Sequence, residues 1–451
     1  MEDITHVKSI LEDFSKRHQI KTPFVQKPLA IIYNTVIDTY NSNSFLFTLK
    51  KKRVHDNSPF EQSILFDVLA KVEQDSSSFE HDRETQTFLE EYQLLSRGEI
   101  INWMSTYGHK LLTLFPQIIR KHQIKIDQSF LELFGDFVSV DILLEVEEFI
   151  TNEFTFIMVT DDHTIMLKYH SRQEPSKQVL DRLANRIALL LTFTKKKGEL
   201  KLNIWECETK KKLPQLPNKT LGVREVNSGC TKFSFMSDNM GEITIWRNEE
   251  LGKVLLHELI HSLGLDFFRY PPRFNNILKK HFNIPTSIEI RLGESYVEMW
   301  ANLINSILVS YVPSGVKNIE LFFENLSYEF LFSVFQCTKI LKFYGFNCFN
   351  DCRHSFKNKE NIEKFQQNSS ILSYYIIKTM FFQNLDNFIK FCSFHNRQLL
   401  CFQKIKFTQF FALLNKTINN TDFYTLMDKT IPVINTNTVS LQQSLRMTLL
   451  G

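Results

Sequence analysis

Leu255-Leu256-His257-Glu258-Leu259-Ile260-His261-Ser262-Leu263-Gly264 has the form H-E-x-x-H inside an apolar run, and the rest of the chain is read outward from it. Residues four apart on an α-helix stand one above the other on the same face, so His257 and His261 can present ring nitrogens to a single cation. Glu258 is placed to take a proton from a water held by that cation. Val254, Leu255, Leu256, Leu259, Ile260 and Leu263 suit a helix buried on most sides with one wet face. The competing explanation is a core helix whose two histidines are merely hydrogen-bonded; a third ligand separates the two.

An extended H-E-x-x-H-x-x-G-x-x-H pattern would place a third histidine at position 267, but Phe267 stands there and Asp266 is one residue out of register. Further on, Arg291-Leu292-Gly293-Glu294-Ser295-Tyr296-Val297-Glu298-Met299-Trp300-Ala301-Asn302 predicts a second amphipathic helix, with Val297, Met299, Trp300, Leu303 and Ile304 available for packing. Glu294 and Glu298 share one of its faces. Glu294 is the expected third ligand. Glu298 can accept the second N–H of a liganding histidine and so fix its tautomer.

The paired motifs His257-Glu258-x-x-His261 and Glu294-x-x-x-Glu298 resemble the zincin metallopeptidases, specifically the glutamate-liganded branch, the gluzincins. The runs Val226-Asn227-Ser228-Gly229, Ile243-Thr244-Ile245-Trp246-Arg247 and Lys253-Val254-Leu255-Leu256-His257 also resemble zincin-like proteins encoded by large DNA viruses. Together the likenesses cover residues 200–312. They imply Zn²⁺ as cofactor, a protein or peptide substrate, and hydrolysis through a metal-activated water with Glu258 as general base. They also imply that the strand before the metal helix lies at a sheet edge beside the cleft. Ile243-Thr244-Ile245 is the candidate, able to hold an extended peptide by backbone hydrogen bonds. Tyr270, His281 and Tyr296 are nearby side chains able to donate to a developing oxyanion, and all three stay open.

Two rivals use the same residues. One is a non-catalytic zincin-fold structural or host-interaction protein, such as a component of a viral particle, in which metal only holds helices together. An intact Glu258 argues against it, because a structural site prefers closed coordination and needs no adjacent base. The other is hydrolysis of a non-peptide amide or ester.

Length and composition bound these readings. A chain of 451 residues suffices for two or three domains, and 13 Gly and 12 Pro beside 42 Phe favour a helix-rich protein with few tight turns. The net charge of +3 by itself recruits neither nucleic acid nor membrane. Residues 1–150 carry 16 Lys and Arg against 23 Asp and Glu, and residues 301–451 carry 15 against 9, imbalances that solvated faces explain. Met1-Glu2-Asp3-Ile4-Thr5-His6 lacks a secretory pattern, and the apolar stretch Phe330 to Phe349 is broken by Lys339 and Lys342. The expectation is a protein without a membrane span in the cytoplasm, for a viral protein that of the host, or in a virion. Seven cysteines fit reduced thiols, and Cys348, Cys352, His354, Cys392 and His395 match no zinc-knuckle spacing.

The expected fold class is α+β: a zincin-like core, with a small mixed sheet and the active-site helix, flanked by N- and C-terminal helical regions. The expected domains are 1–150 (helical), 151–313 (metal-binding and catalytic) and 314–451 (helical, Phe-rich). Val7 to Arg17, Leu29 to Tyr40, Phe60 to Val72, Thr87 to Leu95 and Ile118 to Lys125 have helical spacing. Glu153 to Val159 and His163 to His170 predict a hairpin, Ser176 to Thr192 a helix, and Leu200 to Trp205, Phe233 to Met236 and Glu242 to Trp246 strands. Helical spacing returns at Ile319 to Phe332, Ile371 to Phe382 and Phe407 to Asn415.

Overall fold

The computed structural model describes residues 4–42, 53–54, 138, 152–214, 220–233, 240–267, 269–282, 284–285, 288–353, 365–432, 434 and 440–451. The helices expected at Phe60 to Val72, Thr87 to Leu95 and Ile118 to Lys125, and residue His354, lie outside the described residues. The described chain is a mixed α+β fold with helices flanking one small mixed sheet.

Two helices come first, α1 (Ile4–His18) and α2 (Gln26–Ser42). The strands are β1 (Arg53–Val54), β2 (Asn152–Val159), β3 (His163–Ser171), β4 (Gly198–Trp205), β5 (Gly229–Lys232) and β6 (Gly241–Ile245), in the spatial order β1-β2-β3-β4-β6-β5. In β3 Ile165, Leu167 and Tyr169 alternate inward, the period-two pattern that made the hairpin readable. β3 pairs parallel with β4 through the crossover helix α3 (Lys177–Leu191), whose first turn is capped by the Ser176 hydroxyl accepting from Val179 N.

The H-E-x-x-H motif lies on α4 (Leu251–Ser262), which packs between α3 and the later helix α6 and lies against β5 and β6. Helix α5 (Arg273–Phe282) intervenes before α6 (Leu292–Tyr311). Nearly every residue of α6 is buried, its polar side chains Glu298, Asn302 and Asn305 included, and Glu294 is half-buried in the first turn. Among the later helices are α7 (Ile319–Phe343), α8 (Lys378–Gln383), α9 (Leu385–His395), α10 (Phe407–Ile418) and α11 (Thr421–Thr430), with short helical turns at Val223–Val226, Phe349–Arg353 and Ser440–Gln443. α8 is entered through a π-helical stretch, Leu372–Ile377, where a plain α-helix was expected. Buried apolar side chains form one continuous cluster running from Val7 to Leu450. Among the described residues no helix is long and apolar enough to cross a membrane.

A strand forms at Gly229–Lys232, directly after Asn227-Ser228; of the strand expected at Phe233 to Met236, Phe233 lies just past it and residues 234–236 lie outside the described residues. One strand placement needs correction. Ile243-Thr244-Ile245 is not at the edge: β6 pairs parallel with β4 on one side and antiparallel with β5 on the other. β5 ends the sheet. A strand's neighbours are set by chain segments distant in sequence, so its own residues carry no sign of which side stays open.

Glycine fixes the two close approaches that bring α4 and α6 together. Gly264 has φ +67 and closes α4 in a Schellman motif, with Leu265 N donating to Ile260 O at 3.0 Å and Gly264 N to His261 O at 2.9 Å. A Cβ on Gly293 would stand 2.4 Å from the Phe267 carbonyl oxygen, so α6 can begin where it does only without a side chain there. Gly293→Ala is expected to destabilise the fold by about 1–3 kcal/mol, seen as a thermal midpoint several degrees lower; an unchanged midpoint contradicts this packing.

Candidate metal centre

On α4, His257 and His261 point their Nε2 atoms to one place. The two Nε2 atoms are 3.2 Å apart, and Glu294 Oε2, arriving from the first turn of α6, lies 3.1 Å from His257 Nε2 and 3.3 Å from His261 Nε2. These three residues are the one group of three or more potential metal donors among the described residues. Cys352 and Cys392 are buried, form no disulfide and join no such group.

The opposite ring nitrogens are already engaged. His257 Nδ1 donates to Glu298 Oε2 at 2.8 Å, and His261 Nδ1 donates to Asp266 Oδ2 at 2.8 Å. Each bond places the ring proton on Nδ1 and leaves the Nε2 lone pair facing the convergence point. Asp266, out of register as a ligand, reaches back to His261 because the Gly264 turn folds the chain over the end of α4. Glu298 is reinforced by Lys253 Nζ, 2.5 Å from its Oε1.

Charge within the cluster is strongly redistributed. Burial opposes the negative charge of Glu294, but His261 and His257 outweigh it and hold the carboxyl well below its usual range. Burial likewise disfavours protonated His261, yet Asp266 and Glu294 raise its pKa well above the usual value. Without a cation, protons occupy the place a metal would take, so the two compete for the same atoms. Burial raises Glu258, with opposition from His257 and His261. That is the direction a general base working near neutrality requires.

Glu258 faces the end strand. The Thr231 hydroxyl on β5 donates to Glu258 Oε2 at 2.7 Å, and a Cβ on Gly229 would lie 3.0 Å from Glu258 Cγ and Oε1. A cleft of about 480 Å³ is lined by His257, Glu258, His261 and Glu294, by Gly229, Cys230 and Thr231 of β5, by Gln367 to Ser370, and by Arg291 and Tyr374.

None of the three expected oxyanion donors is among the lining residues. The Tyr270 hydroxyl bonds Asn275 and the Ile290 carbonyl and accepts from Leu292 N, which secures the start of α6. Tyr296 is fully buried, with its hydroxyl donating to Leu400 O at 2.6 Å. His281 lies on α5 beside Phe282. These residues are close to the motif in sequence but turn into the packing between helices.

Tyr374 is a tyrosine that does line the cleft. It comes from the π-helical stretch, where the Lys378 N–H bonds back to Ser373 O and the widened turn redirects the chain; such stretches recur at functional sites. Its ring meets His257 edge-on, with centroids 5.9 Å apart. Burial, then the charges of Glu294 and Glu258, push its pKa well above the usual tyrosine value, so it stays a donor.

An uncharacterised protein of Acanthamoeba polyphaga mimivirus is 28% identical to this chain over 171 residues, which are 36% of this chain and 42% of that protein. The chain thus spans less than half the length of that viral relative. No protein-family model matches the chain, and no solved structure matches it.

Glu294→Ala is expected to abolish stoichiometric metal uptake, measured by elemental analysis after dialysis. Asp266→Asn should weaken metal binding by about 10–100-fold in competition with a chromogenic chelator. Full retention by Glu294→Ala would remove that residue from the ligand set.

Proposed function

We propose that the chain is a zinc-dependent metallopeptidase of the glutamate-liganded zincin type, with His257, His261 and Glu294 holding the ion. The observation that carries this reading is the triangle of donor atoms. A tetrahedral zinc site with bonds of about 2.0–2.1 Å has ligand atoms roughly 3.3 Å apart, and the three separations here are 3.1, 3.2 and 3.3 Å. Two imidazoles and one carboxylate beside an open cleft also form the donor set of hydrolytic rather than structural zinc.

When bound, zinc would supply a more acidic water and polarise the scissile carbonyl. The protein's own groups do the rest. Glu258 takes the water's proton and later gives it to the leaving amine, and the Thr231 bond fixes the direction of its carboxylate. Tyr374 donates to the carbonyl oxygen as negative charge develops there. β5, the end strand, offers backbone groups for an extended substrate, the part first assigned to Ile243-Thr244-Ile245. The mimivirus relative supports a viral setting and assigns no activity.

Glu258→Gln is expected to keep full metal content and lose cleavage of an unstructured protein such as casein. Tyr374→Phe should lower kcat by about 100-fold with little change in KM. Casein cleavage undiminished by Glu258→Gln, in protein of verified metal content, would overturn the mechanism.

A further inference from the structure

Behind the candidate centre lies a buried ionic network that hydrolysis itself does not use. We propose that Lys253 is a positioning residue for the metal centre: its ammonium pins the Glu298 carboxylate, which in turn holds His257, and the segment Met447–Leu450 keeps the surrounding charges in place. The proposal rests on the metal reading given above.

Lys253 precedes His257 by four residues, so it lies one turn earlier on the same face of α4. Glu298 is fully buried; its Oε2 accepts from His257 Nδ1 at 2.8 Å, and its Oε1 accepts from Lys253 Nζ at 2.5 Å and from Asn302 Nδ2 at 3.4 Å. A carboxylate held at both oxygens cannot rotate, and the ring it holds cannot turn its Nε2 away from Glu294. Without the ammonium, Glu298 would lose the one cation besides His257 that is hydrogen-bonded to it, a costly loss for a buried charge.

Lys378, the other buried ammonium near this pair, is engaged elsewhere: its Nζ donates to Met447 O at 2.9 Å. A separate buried pair joins Lys211 Nζ to Glu250 Oε2 at 2.7 Å. Glu250 Oε1 accepts from Met447 N and Thr448 N, both at 2.6 Å, and Glu329 Oε1 accepts from Leu450 N at 2.8 Å. Met447–Leu450 thus contributes its backbone, amide groups to the acids and a carbonyl to Lys378. Glu250 also begins α4 in a left-handed conformation, φ 63, which the bonds to this segment help maintain.

Lys211 provides the control. It is as buried as Lys253 and equally paired, and the bonds recorded for its Glu250 partner run to this lysine and to backbone amides, with no histidine among them. The test is zinc affinity by chelator competition on the full chain, with thermal midpoints of the metal-free forms, for native protein, Lys253→Met, Glu298→Gln, the double variant and Lys211→Met. Lys253→Met and Glu298→Gln are each expected to weaken zinc by about tenfold or more. The double variant should be no worse than the weaker single one, because both changes break the same link. Lys211→Met should lower the midpoint while zinc affinity stays within about twofold of native. Native affinity in folded Lys253→Met, or a double-variant loss equal to the product of the single losses, overturns the proposal. Should Lys253→Met fail to fold, Glu298→Gln is compared with the double variant, which leaves neither charge unpaired: equal affinity supports the proposal, and a further loss overturns it. Native protein that takes up no zinc overturns the metal reading itself, a failure visible before any variant is made.

Discussion

The site depends on each histidine of the H-E-x-x-H helix donating its Nδ1–H in a hydrogen bond to a buried carboxylate. Glu298 accepts from His257, and Asp266 from His261. Both acids are nearly or fully excluded from solvent, where a charge without a partner costs several kcal/mol, on the order given for buried ions. The bonds therefore constrain the backbone as well as the rings. Helix α6 must approach α4 closely enough for Glu298 to reach His257, and the chain leaving α4 must turn at once for Asp266 to reach His261. Gly293 and Gly264 make the two approaches possible, and Glu294 is carried to the ring nitrogens as a consequence.

Around this centre the segments distant in sequence supply what the two helices lack. The loop Gln367 to Ser370 lines the cleft, fastened by Asn368 N to Leu221 O at 2.8 Å and by Ser369 Oγ to Asn227 Oδ1 at 2.7 Å. The π-helical stretch sends adjacent tyrosines different ways: Tyr374 to the donor cluster, and Tyr375 to Leu445 O at 2.5 Å. The last residues then thread through the buried charges behind α4. Helices that carry no recognisable chemistry thus complete the site through placement.

Local pattern made the centre of the fold legible. The hairpin and the helix over Ser176 to Thr192 were read as local elements, and α4 from histidines four residues apart inside an apolar run. Glu294 and Glu298 were readable because both lie on one helix face, so geometry within a single element ties them together. What was misread depends on contacts between elements. β5 rather than β6 ends the sheet because β6 is claimed by β4, a pairing that Ile243 and its neighbours do not encode. Tyr270, His281 and Tyr296 were chosen for nearness in sequence, whereas Tyr374 lies far down the chain from Glu294 and reaches it only once the C-terminal helices have packed. The helical phase that suggested a regular helix from Ile371 onward also hid the π-turn that directs Tyr374.

The proposed zinc ion would be held by the His257 and His261 imidazoles and the Glu294 carboxylate, beside the open cleft. The most direct measurement is anomalous diffraction at the zinc absorption edge from crystals of the protein purified with the metal. The account predicts a single peak about 2.0–2.1 Å from His257 Nε2, His261 Nε2 and Glu294. An absent peak, or one at some other group of residues, would contradict it.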